Sequence, residues 1–318
     1  MSMNVILTGA SPDSINHNSV MRNYVYDGFV SLLSKEQVTN VPLQSCAKSI
    51  LNQPADFVLV FGSCMPDSCE YGAIKHACAQ TGAKLIFWLH DDPYEQDFNF
   101  KILDIADIVF SNDKWASKFY YHDNTFHLPM AASKNAHFVE ITNKWDHDLF
   151  FCGVAFENRV SLLRDLKKFL SSKNCNISGA EWPADLSFCK NERINNLELP
   201  NFIANSKFTL NVGRHLSLGN DRFKLDPSTP GPRTFEAAMA GSVQLYYVES
   251  LEIEEYYKPD NEILLFDNAK QLEQLFEEYV DDPEKLISIA RNAQERTLND
   301  HQYKNRCAVI IEKFLALN

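Results

Sequence analysis

The chain has 318 residues, 45% hydrophobic and 23% charged, with a formal net charge of −12. That length suggests two domains with ordinary globular cores, and the acidic balance argues against a nucleic-acid backbone as the main partner, because neutralising phosphates needs clustered Lys and Arg. No apolar run reaches the roughly 18 residues of a membrane span, and none of the eight cysteines forms a C-x-x-C pair, so zinc spacing is absent.

Met1-Ser2-Met3-Asn4 leads directly into a strand-like run with no signal peptide, so the expected location is the cytoplasm, with free buried thiols. Asn4–Thr8 reads as a strand ending in Gly9, followed by a helix over about 19–34. Residues 56–61 form a buried strand ending in Gly62, and a helix over about 70–80 stops at Gly82. Lys84–Leu89 is a third buried strand, ending in His90-Asp91-Asp92-Pro93, and Ile108–Phe110 is a fourth, ending at Ser111. The pattern restarts after about 145. Leu149–Cys152 ends in Gly153 and is followed by a helix over about 158–171, and Asn176–Ser178 ends in Gly179. Phe208–Val212 precedes a helix at 234–240, and Val243–Val248 and Glu262–Phe266 are the last strands. Helices over about 270–280, 283–297 and 302–316 complete the chain.

Short apolar strands alternating with helices indicate parallel sheets covered on both faces. The expected fold class is α/β: two Rossmann-like doubly wound domains facing across a cleft, with ligands at the carboxyl ends of the strands. The expected boundaries are 1–145, 146–300, and a C-terminal helix at 301–318 packing back toward the first domain.

Thr229-Pro-Gly-Pro-Arg-Thr-Phe-Glu-Ala-Ala-Met-Ala-Gly241 is a Pro/Gly loop opening into a helix. Such an opening exposes backbone N–H groups and the positive end of the dipole, where a phosphate binds. Arg233 is an unfavourable charge at a helix start unless an anion is present. Glu236, one turn in, can bind hydroxyls beside that phosphate or simply complement the dipole. Gly153 followed by Arg159 is a second candidate phosphate contact, since glycine permits close approach and Arg grips phosphate in bidentate fashion. His90, Asp91 and Asp92, on a loop stiffened by Pro93, are the expected catalytic residues: an acid there can bind acceptor hydroxyls or act as general base and the histidine can hydrogen-bond a sugar, the alternative being that they cap the strand. Two further motifs carry little: Thr8-Gly9-Ala10 lacks the glycines of a dinucleotide site, and Asp146-His147-Asp148 precedes its strand, as a solvated linker does, so no metal is expected.

Taken together, these motifs resemble a GT-B glycosyltransferase of the spore-maturation CgeB-like group over nearly the whole chain. The resemblance rests on Trp88-Leu-His-Asp-Asp-Pro-Tyr94, Ala106-Asp-Ile-Val-Phe-Ser-Asn-Asp113 and Leu128-Pro-Met-Ala131. It continues through Phe151-Cys-Gly153 with Arg159, Gly179-Ala-Glu-Trp182, Leu210-Asn211 and Arg233–Gly241. It ends on Asp281-Asp-Pro-Glu284 and His301-Gln-Tyr-Lys-Asn-Arg306. It implies a nucleotide-sugar donor, UDP-linked by default, held by the second domain, with no metal or cofactor. Glu236 matches a ribose-binding glutamate, Gly231 a glycine whose loop faces the diphosphate, Arg159 a basic diphosphate contact and His90 a strand-end histidine on the transferred sugar. Trp182 lies where nucleobase contacts are expected, and Arg214, Arg233 and Thr234 complete the expected donor side. The acid that many retaining members carry eight residues before the glutamate is Ser228 here, with Asp226 two residues off, which leaves retention and inversion both open.

The expected activity is transfer of a sugar, with retention and without metal, to a glycan, lipid-linked or protein hydroxyl. The chain would have no membrane span, and peripheral association remains open. The rivals are a non-catalytic sugar-nucleotide or glycan binder on the same fold and, against the charge of −12, an enzyme that glycosylates modified DNA.

Overall fold

Uninterrupted apolar runs such as Phe57-Val-Leu-Val-Phe61 cannot leave either face in water, so they form parallel strands with helices on both sides. A computed structural model describes residues 3–10, 19–62, 70–216 and 218–317. The chain divides into two compact units: Met1–Met130 with Ser217–Thr229 and Tyr303–Asn318, and Ala131–Leu216 with Pro230–Gln302.

In the first unit, β1 (Val5–Thr8), β2 (Val38–Asn40), β3 (Phe57–Gly62), β4 (Lys84–Leu89), β5 (Ile108–Ser111) and β6 (Thr125–His127) form a parallel sheet in the order β2-β1-β3-β4-β5-β6. Helices α1 (Ser19–Leu32), α2 (Leu43–Asn52), α3 (Glu70–Thr81) and α4 (Phe100–Leu103) belong to it. Ile6, Val58, Leu85, Phe87 and Val109 form a core against Cys46, Ile50 and Ile74 from α2 and α3.

In the second unit, β7 (His147–Val154), β8 (Cys175–Ala180), β9 (Cys189–Lys190), β10 (Ser206–Asn211), β11 (Val243–Tyr247) and β12 (Leu264–Phe266) form a second parallel sheet. Its order is β12-β11-β10-β7-β8-β9. Its helices are α5 (Lys134–His137), α6 (Glu157–Asp165), α7 (Lys167–Leu170), α8 (Leu199–Ala204), α9 (Pro232–Ala240), α10 (Ala269–Tyr279) and α11 (Pro283–Asp300). The single helix expected over 158–171 is broken at the fully buried Leu166, whose ψ of 0° leaves the helical range. These two parallel sheets with flanking helices are the GT-B fold, an α/β architecture.

The unit division differs from a cut at 145. Residues 131–145 go with the second unit because Gln294 on α11 donates Nε2 to the carbonyls of both Val139 and Met239. The last helix, α12 (Tyr303–Leu315), belongs to the first unit. It crosses α1 so closely at Gly28 that a Cβ there would lie 2.9 Å from the Cys307 Sγ. Arg306 fastens it by donating Nε to the Pro129 carbonyl at 3.0 Å.

The segment 217–229 also belongs to the first unit, and two carboxylates clasp it. Asp97 Oδ2 accepts from the backbone N–H of Asp221 at 2.6 Å and of Arg222 at 3.2 Å. The buried Asp113, just after β5, accepts from the N–H of Ser228 (2.7 Å), Thr229 (3.0 Å) and Ala116 (2.8 Å). Ser228 donates its hydroxyl to Asp113 and accepts from the N–H of Trp115, so it is a buried structural residue.

Removing Asp113 would leave three buried N–H groups without an acceptor, each costing about 1–3 kcal/mol. Asp113→Ala is therefore expected to lower stability by roughly 3 kcal/mol or more and to speed tryptic cleavage after Arg222 and Lys224, with Asp113→Asn intermediate. Denaturant titration and limited proteolysis check this.

Candidate functional site

The second sheet reverses its winding between β7 and β10, which are hydrogen-bonded neighbours although β8, β9 and α6–α8 separate them in sequence. Crevices at such switch points are where ligands bind in doubly wound sheets. Arg159, in the first turn of α6, occupies this point. Its Nη1 donates to the Val154 carbonyl at 3.1 Å, its Nη2 to Val212 at 2.8 Å, and its Nε to both Val212 and Gly213. Its guanidinium lies over the rings of Phe151 and Phe156, at 5.4 and 5.1 Å, where cation–π attraction adds to the hydrogen bonds. Gly153 makes room, since a Cβ there would come within 2.8 Å of Nη1. The neighbouring Gly179, at a φ of +153°, is pressed against β7, and a Cβ would meet the Gly153 carbonyl oxygen at 1.7 Å. Asn158 completes the junction by donating to the Gly213 carbonyl and accepting from the His215 N–H. Arg214 lies half-buried in the same 212–216 loop.

Immediately after β10 and the 212–229 excursion, α9 begins. Gly231 is its extended N-cap and Pro232 its first residue, so the position whose N–H would have no helical partner carries none. The far end closes on Gly241 in the left-handed conformation (φ 82°). Asn211 at the end of β10 donates Nδ2 to Thr234 Oγ1 and to Gln244 Oε1, both at 2.9 Å, and Gln244 returns Nε2 to the Thr234 carbonyl. Thr234 is fully buried. Its hydroxyl therefore aligns α9 with the sheet and is not a donor contact, contrary to the sequence expectation.

Glu236 stands in the second turn, its side chain 13% exposed. Arg233 Nη1 is 2.9 Å from its Oε2, an ion pair without hydrogen-bond alignment. From α5, the buried His137 brings Nε2 within 3.8 Å of Glu236 Oε1. His137 Nδ1 accepts from the Ser133 N–H, so the proton of the neutral ring sits on Nε2, toward the carboxylate. Burial pushes the His137 pKa below its usual value. Glu236 opposes that shift and Arg233 adds to it. His137 was not among the sequence candidates; the only local signal is Ser133, an N-cap accepting from Ala136. Cys152 is also near both arginines: burial raises its thiol pKa while Arg233 and Arg159 pull it down.

Trp182 is a core residue. It is 4% exposed and packs edge-on against Phe151 at 5.9 Å, so it offers no face to a nucleobase. Asp146, His147 and Asp148 belong to the start of β7 and its approach. Asp148 is paired with Lys207 at 2.9 Å, and Asn174 bonds to the other two. Among the described residues no group of three or more His, Cys, Asp or Glu could hold a metal ion.

The remaining candidates lie in the first unit, after β4. His90 is buried edge-on against Phe61, with Nδ1 3.8 Å from Asp91 Oδ2. Asp91 is half-buried. Asp92 is 2% exposed and accepts from Ser111 Oγ (2.5 Å), Tyr120 Oη (2.7 Å) and Asn99 Nδ2 (2.8 Å). These bonds tie the loops after β4 and β5 together, which corrects its assignment as an acceptor contact. Burial pushes its carboxyl from 3.8 up to about 7, opposed by the Ser111 and Tyr120 bonds and helped by Asp113 and Asp91.

With this geometry in view, residues 159–312, from Arg159 into α12, match the family model described as glycosyl transferase-like. No curated protein matches the chain. Among solved structures, the fold is shared with an alpha-glucosyltransferase in complex with UDP and a 13-mer DNA (TM-score 0.64, 12% identity, 98% of this chain and 100% of that one). It is also shared with AviGT4, a glycosyltransferase involved in avilamycin A biosynthesis (0.63, 12%, 99% and 98%). A UDP-N-acetylglucosamine 2-epimerase has the same fold (0.56, 12%, 99% and 95%).

The raised carboxyl of Asp92 makes a signed prediction. Its folded pKa of about 7 exceeds its ordinary 3.8, so its stabilising contribution is complete below the lower value and lost as pH rises through the upper one. Asp92→Asn keeps one acceptor oxygen and cannot ionise. The variant is expected to flatten the fall in melting temperature across that window and to gain on wild type above about pH 7, read from melting curves over a pH series.

Proposed function

We propose that the chain is a glycosyltransferase that moves a sugar from a UDP-linked donor to an acceptor hydroxyl. The observation that carries this reading is the Glu236 carboxylate, held by Arg233 and His137 behind the start of α9 at the switch point, inside the stretch that matches the glycosyl transferase-like model. The UDP in the alpha-glucosyltransferase structure and the UDP-sugar substrate named for the epimerase support a UDP-linked ligand.

In this scheme the diphosphate lies at the α9 N-terminus and Glu236 accepts hydrogen bonds from the ribose hydroxyls. The bond from the anomeric carbon to the β-phosphate oxygen breaks, and the bond from the acceptor oxygen forms. The acceptor oxygen attacks from the face that the phosphate leaves, which gives retention, and its proton passes to the departing phosphate. The α9 dipole, Arg233, Arg159 and Arg214 stabilise the charge on the leaving group, so the scheme invokes no metal. The acceptor is a glycan, lipid-linked or protein hydroxyl. The CgeB-like resemblance points to a hexose as the transferred sugar.

Free UDP released from a panel of UDP-sugars with candidate acceptors tests this. Glu236→Ala is expected to lower turnover by roughly 10- to 100-fold, the loss of hydrogen bonds to a charged group. His137→Phe is expected to raise the donor KM more than it lowers kcat, because it removes a positioning N–H and leaves the carboxylate. Wild-type turnover in Glu236→Ala would reject the site. UDP binding without turnover of any donor would favour the non-catalytic binder, and an epimerised UDP-sugar in the product would favour epimerase chemistry.

A further inference from the structure

The first unit carries an exposed aromatic and cationic surface. It is built from the turn Lys114–Phe119 and the tip of the 217–229 segment. Trp115, Phe119 and Phe223 are 44%, 45% and 39% exposed. The Phe119 and Phe223 rings meet at 5.0 Å, and the Arg222 guanidinium lies 5.1 Å from the centre of the Phe223 ring. Lys118, Arg222 and Lys224 are exposed beside them and Lys114 is half-buried; the carboxylates nearby are the exposed Asp221 and Asp226 and the half-buried Asp97, which is engaged by the backbone of Asp221 and Arg222. On a chain of net charge −12 this is a local concentration of cations around bare aromatic rings.

The frame beneath is rigid. The buried Asn220 closes the loop by donating Nδ2 to the Leu225 carbonyl at 2.7 Å and accepting from the Leu225 N–H at 3.1 Å. Asp97 holds the backbone of Asp221 and Arg222, and Lys224 is in the left-handed region at a φ of 51°. Buried polar groups thus hold a loop whose tip, 221–224, is entirely exposed and presents Arg-Phe-Lys outward. The Phe223 ring packs against Phe119 and Arg222 and still leaves 39% of the residue in water, an apolar surface that burial against a partner would stabilise.

We propose that this surface docks the protein on a bilayer containing anionic lipid. Aromatic side chains settle at the headgroup level, and nearby Lys and Arg are drawn to the negative leaflet. The overall negative charge is screened beyond about 8 Å at physiological salt, so the local cations dominate at contact. Single-stranded nucleic acid fits less well: bases stack on ring faces, and Phe119 and Arg222 already pack against the Phe223 ring. Among the described residues no helix is long and apolar enough to cross a membrane, so the contact is peripheral.

Flotation of the full chain with vesicles of phosphatidylglycerol and phosphatidylcholine in equal proportion, against phosphatidylcholine alone, tests the proposal. Binding is expected only to the anionic vesicles and is expected to weaken with salt. Lys118→Glu and Arg222→Glu should each lower the partition at least about fivefold, the equivalent of ~1 kcal/mol per charge. Phe223→Ser should lower it with the melting temperature unchanged. Brominated lipid should quench wild type clearly more than Trp115→Phe, since Trp88 and Trp182 are buried and the half-buried Trp145 belongs to the second unit. Absence of flotation, or flotation unchanged in all these variants, overturns the proposal. So does a gel shift of single-stranded oligonucleotide lost in the same variants without flotation, which would assign the surface to nucleic acid. None of these readouts uses donor turnover, so their failure leaves the proposed activity standing.

Discussion

The second unit depends on how its sheet is held together at the point where the winding reverses. There β7 and β10 run side by side while their following connections go to opposite sides, so the carbonyls beyond their ends have no strand partner. Arg159 supplies the missing donors to Val154, Val212 and Gly213 from one planar group, and the rings of Phe151 and Phe156 pack against that group. Lysine could not do this: a point charge with flexible donors lacks the flat fork that reaches two strands and stacks on rings. Gly153 and Gly179 follow from the same crowding, because either side chain would collide with the guanidinium or with the β7 backbone.

On that junction the fold lays α9, and a closed polar network fixes its direction. Asn211, Thr234 and Gln244 bond to one another across β10, α9 and β11 with no exposed member. A fully bonded buried network is specific where an apolar contact would allow sliding. The result is that Glu236 and Arg233, three residues apart on one face, sit with His137 as a charged cluster of defined geometry. Burial disfavours the charged imidazole, whose Nε2 lies 3.8 Å from the carboxylate.

The first unit uses carboxylates differently. Asp92, Asp97 and Asp113 each accept several hydrogen bonds: Asp92 from side chains that join two loops, Asp97 and Asp113 from backbone N–H groups of the segment 217–229. Asp92 and Asp113 follow strand ends, where catalytic acids are expected, and all three have mainly structural partners. The segment runs from Leu216 in the second unit through the first and back at Pro230, so the residues immediately before α9 are anchored by Asp113. Ser228 is part of that anchor, while the exposed tip at 221–224 carries the aromatic and cationic surface.

Much of this was legible in one dimension. Apolar strands ending in glycine, the Pro/Gly loop before α9 and the Glu236 position follow from local patterns whose physics is local: continuous hydrophobicity, a proline at the first helical turn, a glycine at the last. Short elements were not legible. β2, β6, β9 and α8 have too few residues to show a period, and tertiary packing decides them, whereas α2 buries Leu43, Cys46 and Ile50 at helical spacing, a signal the sequence did carry. The same limit governs the site. The residue types could nominate Asp92, Thr234 and Trp182, but only the fold buries them among partners from distant segments, and only the fold brings His137 to Glu236 from 99 residues away. The sequence alone determined the α/β class, the order of the strands along the chain and the helix start that favours an anion. The tertiary structure decided which polar groups are used up as structural partners and which remain for a ligand, because that depends on hydrogen bonds between segments far apart in the chain.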